Sequence, residues 1–278
     1  MNKPKRQHWV PRFYLSYFSN EKAGSSKNPQ VFVLDKNQAR AEPYSTSVKK
    51  VCGQRYMYSP KNEDGERDFG FEGFLGNIES EIAGLLLDGD LDHIEVMIER
   101  DRRKLSEFMA ALVLRNKYIL DSVERLMVLR NKLFGAPAET EFRRTIKSAD
   151  EEIVEEVFDL HDPKRHFIQT NKYALPNLTD TIFELTWTLI VCDSNCFITS
   201  DRPVTSVHPR VRAPGPRTKG AKTIFPITPR SCLLMRKKSG VPAFTRVDAD
   251  ESTAQELNCL IRDFSVRFVF ASHESHFQ

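Results

Sequence analysis

The spacing of apolar positions changes along the chain, and each change marks a predicted element. Between about Phe69 and Leu87, the residues Phe71, Phe74, Leu75, Ile78, Ile82 and Leu85 recur three and four apart, which predicts an amphipathic helix. A longer stripe of Leu105, Phe108, Met109, Leu112, Ile119, Leu120, Val123, Leu126 and Met127 predicts one helix from roughly Arg102 to Phe134, closed by Gly135 and Pro137. An acidic helix is expected over Ala149–Leu160, with a loop through Pro163. Past Thr179 the period shortens: Thr186–Cys192 and Cys196–Asp201 flank Asp193-Ser194-Asn195 and read as a β-hairpin, ended by Pro203. Phe225–Arg236 returns to the sheet, Asp250–Asp263 is a helix with Leu257, Leu260 and Ile261 inward, and Arg267–Phe270 is a last strand.

The start of the chain is less regular. Pro11 suits the first turn of a short helix that puts Tyr14, Leu15 and Phe18 on one face. Val31–Leu34 has strand composition, Asp35–Gln38 reads as a turn, and Tyr56–Tyr58 reads as another short strand. Helices bracketed by strand pairs without regular alternation argue an α+β fold: central helices packed on a mixed, mostly antiparallel sheet, with a terminal helix and strand. The expectation is one globular unit over 1–278, mainly helical through 175 and mainly β, with a basic loop, from 176 onward.

Composition changes this picture little. A hydrophobic share of 40% with 19 Phe supports a sizeable core. The longest apolar runs, such as Met109–Leu114 and Ile82–Leu87, fall far short of the ~20 residues that cross a bilayer. Residues 1–12 are basic and polar with no apolar leader core, and the five cysteines (Cys52, Cys192, Cys196, Cys232, Cys259) are odd in number and scattered. Free thiols in a cytoplasmic compartment are the expectation. Cys192 and Cys196 flank the expected hairpin turn, but the further ligands of a zinc knuckle do not follow at close spacing. His161, His166, His273 and His276 are expected to be solvated.

Charge changes it more. From Arg202 to Val247 there is no Asp or Glu, while eleven cations occur. The rest of the chain holds 30 Lys+Arg against 38 Asp+Glu, a net of −8. The opposite extreme is Glu139–Asp162, where Glu151, Glu152, Glu155 and Glu156 crowd together. Such asymmetry points to a polyanionic partner, with Arg12, Arg202, Arg210, Arg212, Arg217, Lys219 and Lys222 as candidate RNA or DNA contacts. Aromatic residues beside Lys3, Lys5, Arg6 and Arg12 would add base stacking. The other reading is a solvated face, neutralised within the fold by the acidic segment.

The opening Gln7-His8-Trp9-Val10-Pro11-Arg12-Phe13-Tyr14-Leu15 and the segment Phe197-Ile198-Thr199-Ser200-Asp201-Arg202-Pro203-Val204 resemble a bacterial family known as domain-of-unknown-function family 4238. Four further segments fit its pattern: Phe71–Glu79, Ala111–Asn116, Pro226–Pro229, and the stretch from Leu257 to Val269. The resemblance runs from residue 7 to about 270. It marks Gln7, His8, Arg12, Glu79, Arg115, Ser200 and Asp201 as its polar positions and implies no activity.

His8 sits beside the start of a helix, where an imidazole serves as general base, metal ligand, cap or packing group. Asp201 ends an apolar strand before a proline, either as a site carboxylate or as an Asx turn. Glu79 lies on a helix shoulder, as a site group or as the ion-pair partner of Arg115. Gly-rich phosphate loops, the GxSxG elbow and the dinucleotide fingerprint do not occur. The lead expectation is a phosphoester hydrolase acting on nucleic acid, a nuclease-like toxin or defence effector. His8, Glu79, Asp201 and Arg115 would be its catalytic set, with Glu79 and Asp201 as ligands to a divalent Mg or Mn. The alternative is a non-catalytic nucleic-acid-binding or regulatory module, or a protein-interaction subunit, in which Glu79–Arg115 and His8–Asp201 are structural pairs.

Overall fold

The computed structural model describes residues 5–20, 26–38, 42–88, 94–139, 141–147, 153–237 and 240–277, with side chains throughout except at 87–88, 144–147 and 153–156. The first part carries β1 (Arg6–His8), α1 (Arg12–Tyr17), β2 (Gln30–Asp35), β3 (Tyr44–Ser47) and β4 (Gly53–Arg55). Then come α2 (Gly70–Asp88), α3 (Glu99–Leu114), α4 (Lys117–Phe134), β5 (Glu141–Lys147), β6 (Ile153–Asp159) and α5 (Pro163–Phe183). The last part holds β7 (Thr186–Val191), β8 (Thr199–Ser200), β9 (Thr205–Val207), β10 (Lys222–Pro226), β11 (Ser231–Arg236), β12 (Phe244–Asp248), α6 (Glu251–Phe264) and β13 (Phe268–Ala271).

A five-stranded sheet in the order β12-β7-β11-β10-β9 is antiparallel except for the parallel β12–β7 pair. A four-stranded antiparallel sheet runs β3-β2-β13-β8, and β1–β4 and β5–β6 form two-stranded ribbons. The fold is therefore α+β with mixed, mostly antiparallel sheets.

Strand alternation sorts the central sheet into two cores. Trp187, Leu189 and Val191 join α1, α2, α3 and α5 in the larger one, while Ile190 and Cys192 join Leu257 and Ile261 of α6 in the smaller. In the larger core the rings of Tyr14 and Phe225 stack at 5.6 Å, and Phe108 meets Phe225 edge-on at 6.3 Å. The fully buried Tyr14 hydroxyl donates to the Pro226 carbonyl (2.6 Å) and bonds Thr199 Oγ1 (2.7 Å), tying α1 to β10 and β8. Among the described residues, no helix is long and apolar enough to cross a membrane.

Four sequence expectations need correction. The stripe from Arg102 to Phe134 is two helices, because the Asn116 side chain caps α4 by accepting from Tyr118 N (2.9 Å). Thr186–Val191 and Thr199–Ser200 are not a hairpin and lie in different sheets. Between them the chain is held by backbone bonds from Cys192 to Arg230 and from Cys196 and Phe197 to Pro229, and by Asn258 accepting from Ile198 N. That path carries it across instead of back. The expected helix at Ala149–Leu160 is strand β6 over its described part, in register with β5 so that Phe142 faces Phe158; Glu151 and Glu152 lie outside the described residues. Tyr56–Tyr58 is a turn following β4 rather than a strand.

The 21-residue α5 has no counterpart among the expected elements; Asp162 caps it by accepting from Lys164 N and Arg165 N, with Pro163 at its first position.

Candidate functional site

The N-terminal segment is clamped at several points. Gln7 is fully buried, donating from Nε2 to Ser59 Oγ (2.7 Å) and accepting from Tyr58 N (2.7 Å). On the next residues, His8 pairs with Gly53 in the β1–β4 ribbon, and Trp9 N donates to Cys52 O (2.9 Å). Pro11 then turns the chain into α1, with Arg12 as its first residue. Helix α2 contributes Glu72 and Glu79, seven residues or two turns apart and so on one face. The break between α3 and α4 contributes Arg115.

These groups meet around one open pocket of about 460 Å³, lined among others by Arg6, His8, Arg12, Lys27, Lys49, Glu72, Glu79 and Arg115. Arg115 is the anchor at its wall. Its side chain is 3% exposed, Nη1 donates to Glu79 Oε1 (2.5 Å), Nη2 donates to the His8 carbonyl, and its own carbonyl accepts from Tyr58 OH. Burial works against its charge, and Glu79, Tyr58 and Glu72 together more than offset that, so the guanidinium is held above its ordinary range. Glu72 is different: its Oε2 is buried without a hydrogen-bond partner, as is Arg115 Nε. Burial pushes the Glu72 carboxyl upward, opposed by Arg115 and reinforced by Glu79.

The His8 ring is defined by its neighbours. Nε2 lies 3.3 Å from the Lys49 carbonyl, which can only accept, so Nε2 carries the proton and Nδ1 keeps its lone pair. Burial, with smaller contributions from Arg12, Arg6 and Arg115, pushes its pKa down to about 4 against the Lys49 hydrogen bond. At neutral pH the imidazole is uncharged in a cationic setting. The ring lies so close to the backbone of Gly53 that a Cβ there would stand 2.7 Å from Nε2 and 2.8 Å from Arg6 Nε. Only glycine leaves that room.

Asp201 does not belong to this pocket. It is fully buried, and its carboxylate accepts from Val266 N (3.0 Å), Arg267 N (2.8 Å), Phe268 N (3.0 Å) and Tyr118 OH (2.7 Å). A carboxylate so engaged pins the entry to β13 against the end of β8, inside the protein and away from the His8 pocket. The expected pairing of Glu79 with Asp201 around Mg or Mn therefore does not fit: one is the partner of Arg115 and the other is closed off. Among the described residues, no group of three His, Cys, Asp or Glu side chains is arranged to hold a metal ion.

The cations separate in the same way. Arg12 lines the pocket, whereas among the described residues none of the cations of the acid-free segment does. Arg202 borders a smaller cavity of about 250 Å³ with Asn116 and Tyr118. Arg217 donates to Thr181 Oγ1 (2.7 Å) and to the Asn177 carbonyl of α5. Arg210, Arg212, Lys219 and Lys222 are exposed. Arg6, expected from the sequence only beside stacking aromatic residues, lines the pocket too, and Lys27, Lys49 and Glu72, which the sequence did not assign to a site, are the additional groups there; the spacing of Glu72 and Glu79 was the available signal. His166 and His276, expected to be solvated, are half-buried.

The model of the family described as "Protein of unknown function (DUF4238)" matches residues 6–275. The chain belongs to the DUF4238 family. No curated protein and no solved structure was found to match it. The DUF4238 match spans both the pocket and the Asp201 network. Of the polar positions that carried the resemblance, His8, Arg12, Glu79 and Arg115 line the pocket and Gln7 is buried against Tyr58 and Ser59, while Ser200 accepts from Arg202 N and Asp201 holds its own buried network.

Proposed function

We propose that the protein is a phosphoester hydrolase acting on nucleic acid, with its site in the His8 pocket. The observation that carries this reading is the convergence of a neutral imidazole, a carboxyl held toward its protonated form, and the cations Arg6, Arg12, Lys27 and Lys49 on one open pocket. Arg6, Arg12 and Lys49 would hold the phosphate oxygens. His8 Nδ1 takes a proton from the attacking water as the water oxygen bonds to phosphorus. The bond to the leaving oxygen breaks, and Glu72 delivers a proton to that oxygen. Phosphate beside Arg12 and Arg6 cancels part of the field that depresses His8, so its basicity rises on binding. Arg115, with both Nη atoms engaged, positions Glu79 and the β1 backbone instead of touching phosphate.

A nucleic-acid strand suits the surroundings. Arg6 and Arg55 stand directly opposite each other in the β1–β4 ribbon, and Lys5, Lys50 and Arg55 are exposed. Like charges placed opposite across a ribbon are unfavourable until a polyanion lies over them.

One observation favours the second reading, a binding module without cleavage: both Nη atoms of Arg115 are engaged within the protein, by Glu79 and by the His8 carbonyl. Incubation of labelled RNA and DNA with Mg²⁺, Mn²⁺ or EDTA separates the two. Cleavage lost in His8→Ala and reduced in Glu72→Gln supports the hydrolase. Salt-sensitive binding without cleavage supports the module, and the absence of both defeats the proposal.

A further inference from the structure

The C-terminal half of α4 turns an apolar stripe outward. Leu126, Val128, Leu129, Leu133 and Phe134 are 50% to 83% exposed, where an ordinary surface helix would be polar. Leu126, Leu129 and Leu133 are three and four apart and form one stripe along the helix. Arg125 and Lys132, seven apart, border it on one side. Arg130, four residues after Leu126, borders the other and also donates to the Leu160 carbonyl (2.6 Å). From Arg125 to Phe134 there is no acidic residue, and the segment carries three cations. Asp121 and Glu124, one turn earlier, face elsewhere: Asp121 pairs with Lys117, and Glu124 acts on Lys164.

We infer that this face of α4 is a docking surface for an anionic lipid layer. Charge decides between the occupants. A second copy packed on the stripe about any two-fold axis would bring cationic flanks against cationic flanks, with no carboxylate in the segment to relieve them. The exposed leucines all belong to one helix, so a peptide laid on them would leave most of its own apolar side uncovered. A headgroup layer meets both features: anionic groups pair with Arg125, Arg130 and Lys132 while Leu126, Leu129 and Leu133 enter the acyl boundary. This contact lies along the surface, and it is independent of the hydrolase reading.

The test is flotation of the full chain with vesicles of phosphatidylcholine alone or mixed equally with phosphatidylglycerol, at low and high salt. Binding to the mixed vesicles that weakens with salt is expected, falling at least about tenfold in Leu129→Glu/Leu133→Glu and in Arg125→Glu/Lys132→Glu. Both pairs are exposed, so circular dichroism should show an unchanged fold. No binding to mixed vesicles, or binding unaltered in the leucine variant, overturns the inference. So does a wild-type dimer in ultracentrifugation that Leu129→Glu dissociates, which would assign the face to a second copy.

Discussion

Replacing Asp201 with alanine would remove the acceptor for three backbone N–H groups and the Tyr118 hydroxyl at once. Hydrogen bonds to a charged group contribute about 1.5–3 kcal/mol each, and a buried donor left without an acceptor costs about 1–3 kcal/mol. The gross loss from four such bonds is partly offset, because the variant no longer buries a carboxylate. A net destabilisation of about 3–5 kcal/mol is expected, which for a chain of this size lowers Tm by on the order of 10 °C. Asp201→Asn keeps one acceptor oxygen but turns an NH2 toward the donors, and should lose about half as much. Urea unfolding followed by circular dichroism gives the change directly, with an unchanged m-value showing that the denatured state is comparable. Ligand binding at the His8 pocket, measured on folded protein, should be unaffected. A loss of less than about 1 kcal/mol, or a loss of binding without a loss of stability, would refute the structural assignment of Asp201.

Three further outcomes are expected. Asn116→Ala removes the α4 cap and the Nδ2 bond to the Asp201 carbonyl (3.2 Å), so it should cost about 1–2 kcal/mol in the same unfolding assay. Gly53→Ala should displace the His8 ring or the Arg6 side chain, weakening inorganic phosphate binding by titration calorimetry while changing stability by less than about 1 kcal/mol. His8, held down to about 4, stays neutral in the folded state while the unfolded chain protonates near 6.5. Stability should thus fall as pH drops from about 7 toward 4, by on the order of 2–3 kcal/mol more in wild type than in His8→Gln.

Elements whose period and boundaries agree were readable from residue order. Helix α2 runs Gly70–Asp88 against an expectation of Phe69–Leu87, and α6 runs Glu251–Phe264 against Asp250–Asp263, because in each the apolar stripe faces one core throughout. The break at Arg115-Asn116 was hidden for a physical reason. Leu112, Ile119 and Leu120 continue the stripe across it, and the Asn116 cap is joined there by long-range bonds: Tyr58 OH to the Arg115 carbonyl and Asn116 to Asp201. The false hairpin has the same origin. Asp193-Ser194-Asn195 has turn composition, but the partners of residues 192–198 are Pro229, Arg230 and Asn258, contributed by segments 30 or more residues away. In both places tertiary partners overrode the local pattern.

The site divides along a similar line. His8, Glu79 and Arg115 could be named from their settings, and they meet at one pocket, whereas Asp201 has the same local credentials and does not. The difference is the number of donors that reach each carboxylate, which no local pattern encodes. Asp201 follows β8, where Val266, Arg267 and Phe268 at the entry to β13 present three successive N–H groups, so its charge is engaged in chain assembly. Glu72, in the first turn of α2, has one carboxyl oxygen buried without a hydrogen-bond partner. Burial raises the energy of an ionised carboxyl in that position, and an anion bound among Arg6, Arg12 and Lys49 would raise it further. Ligand binding and proton retention at Glu72 are then coupled: a phosphate that binds should take up a proton. Calorimetry in buffers of different ionisation enthalpy would read that proton directly, and its absence in Glu72→Gln would locate it.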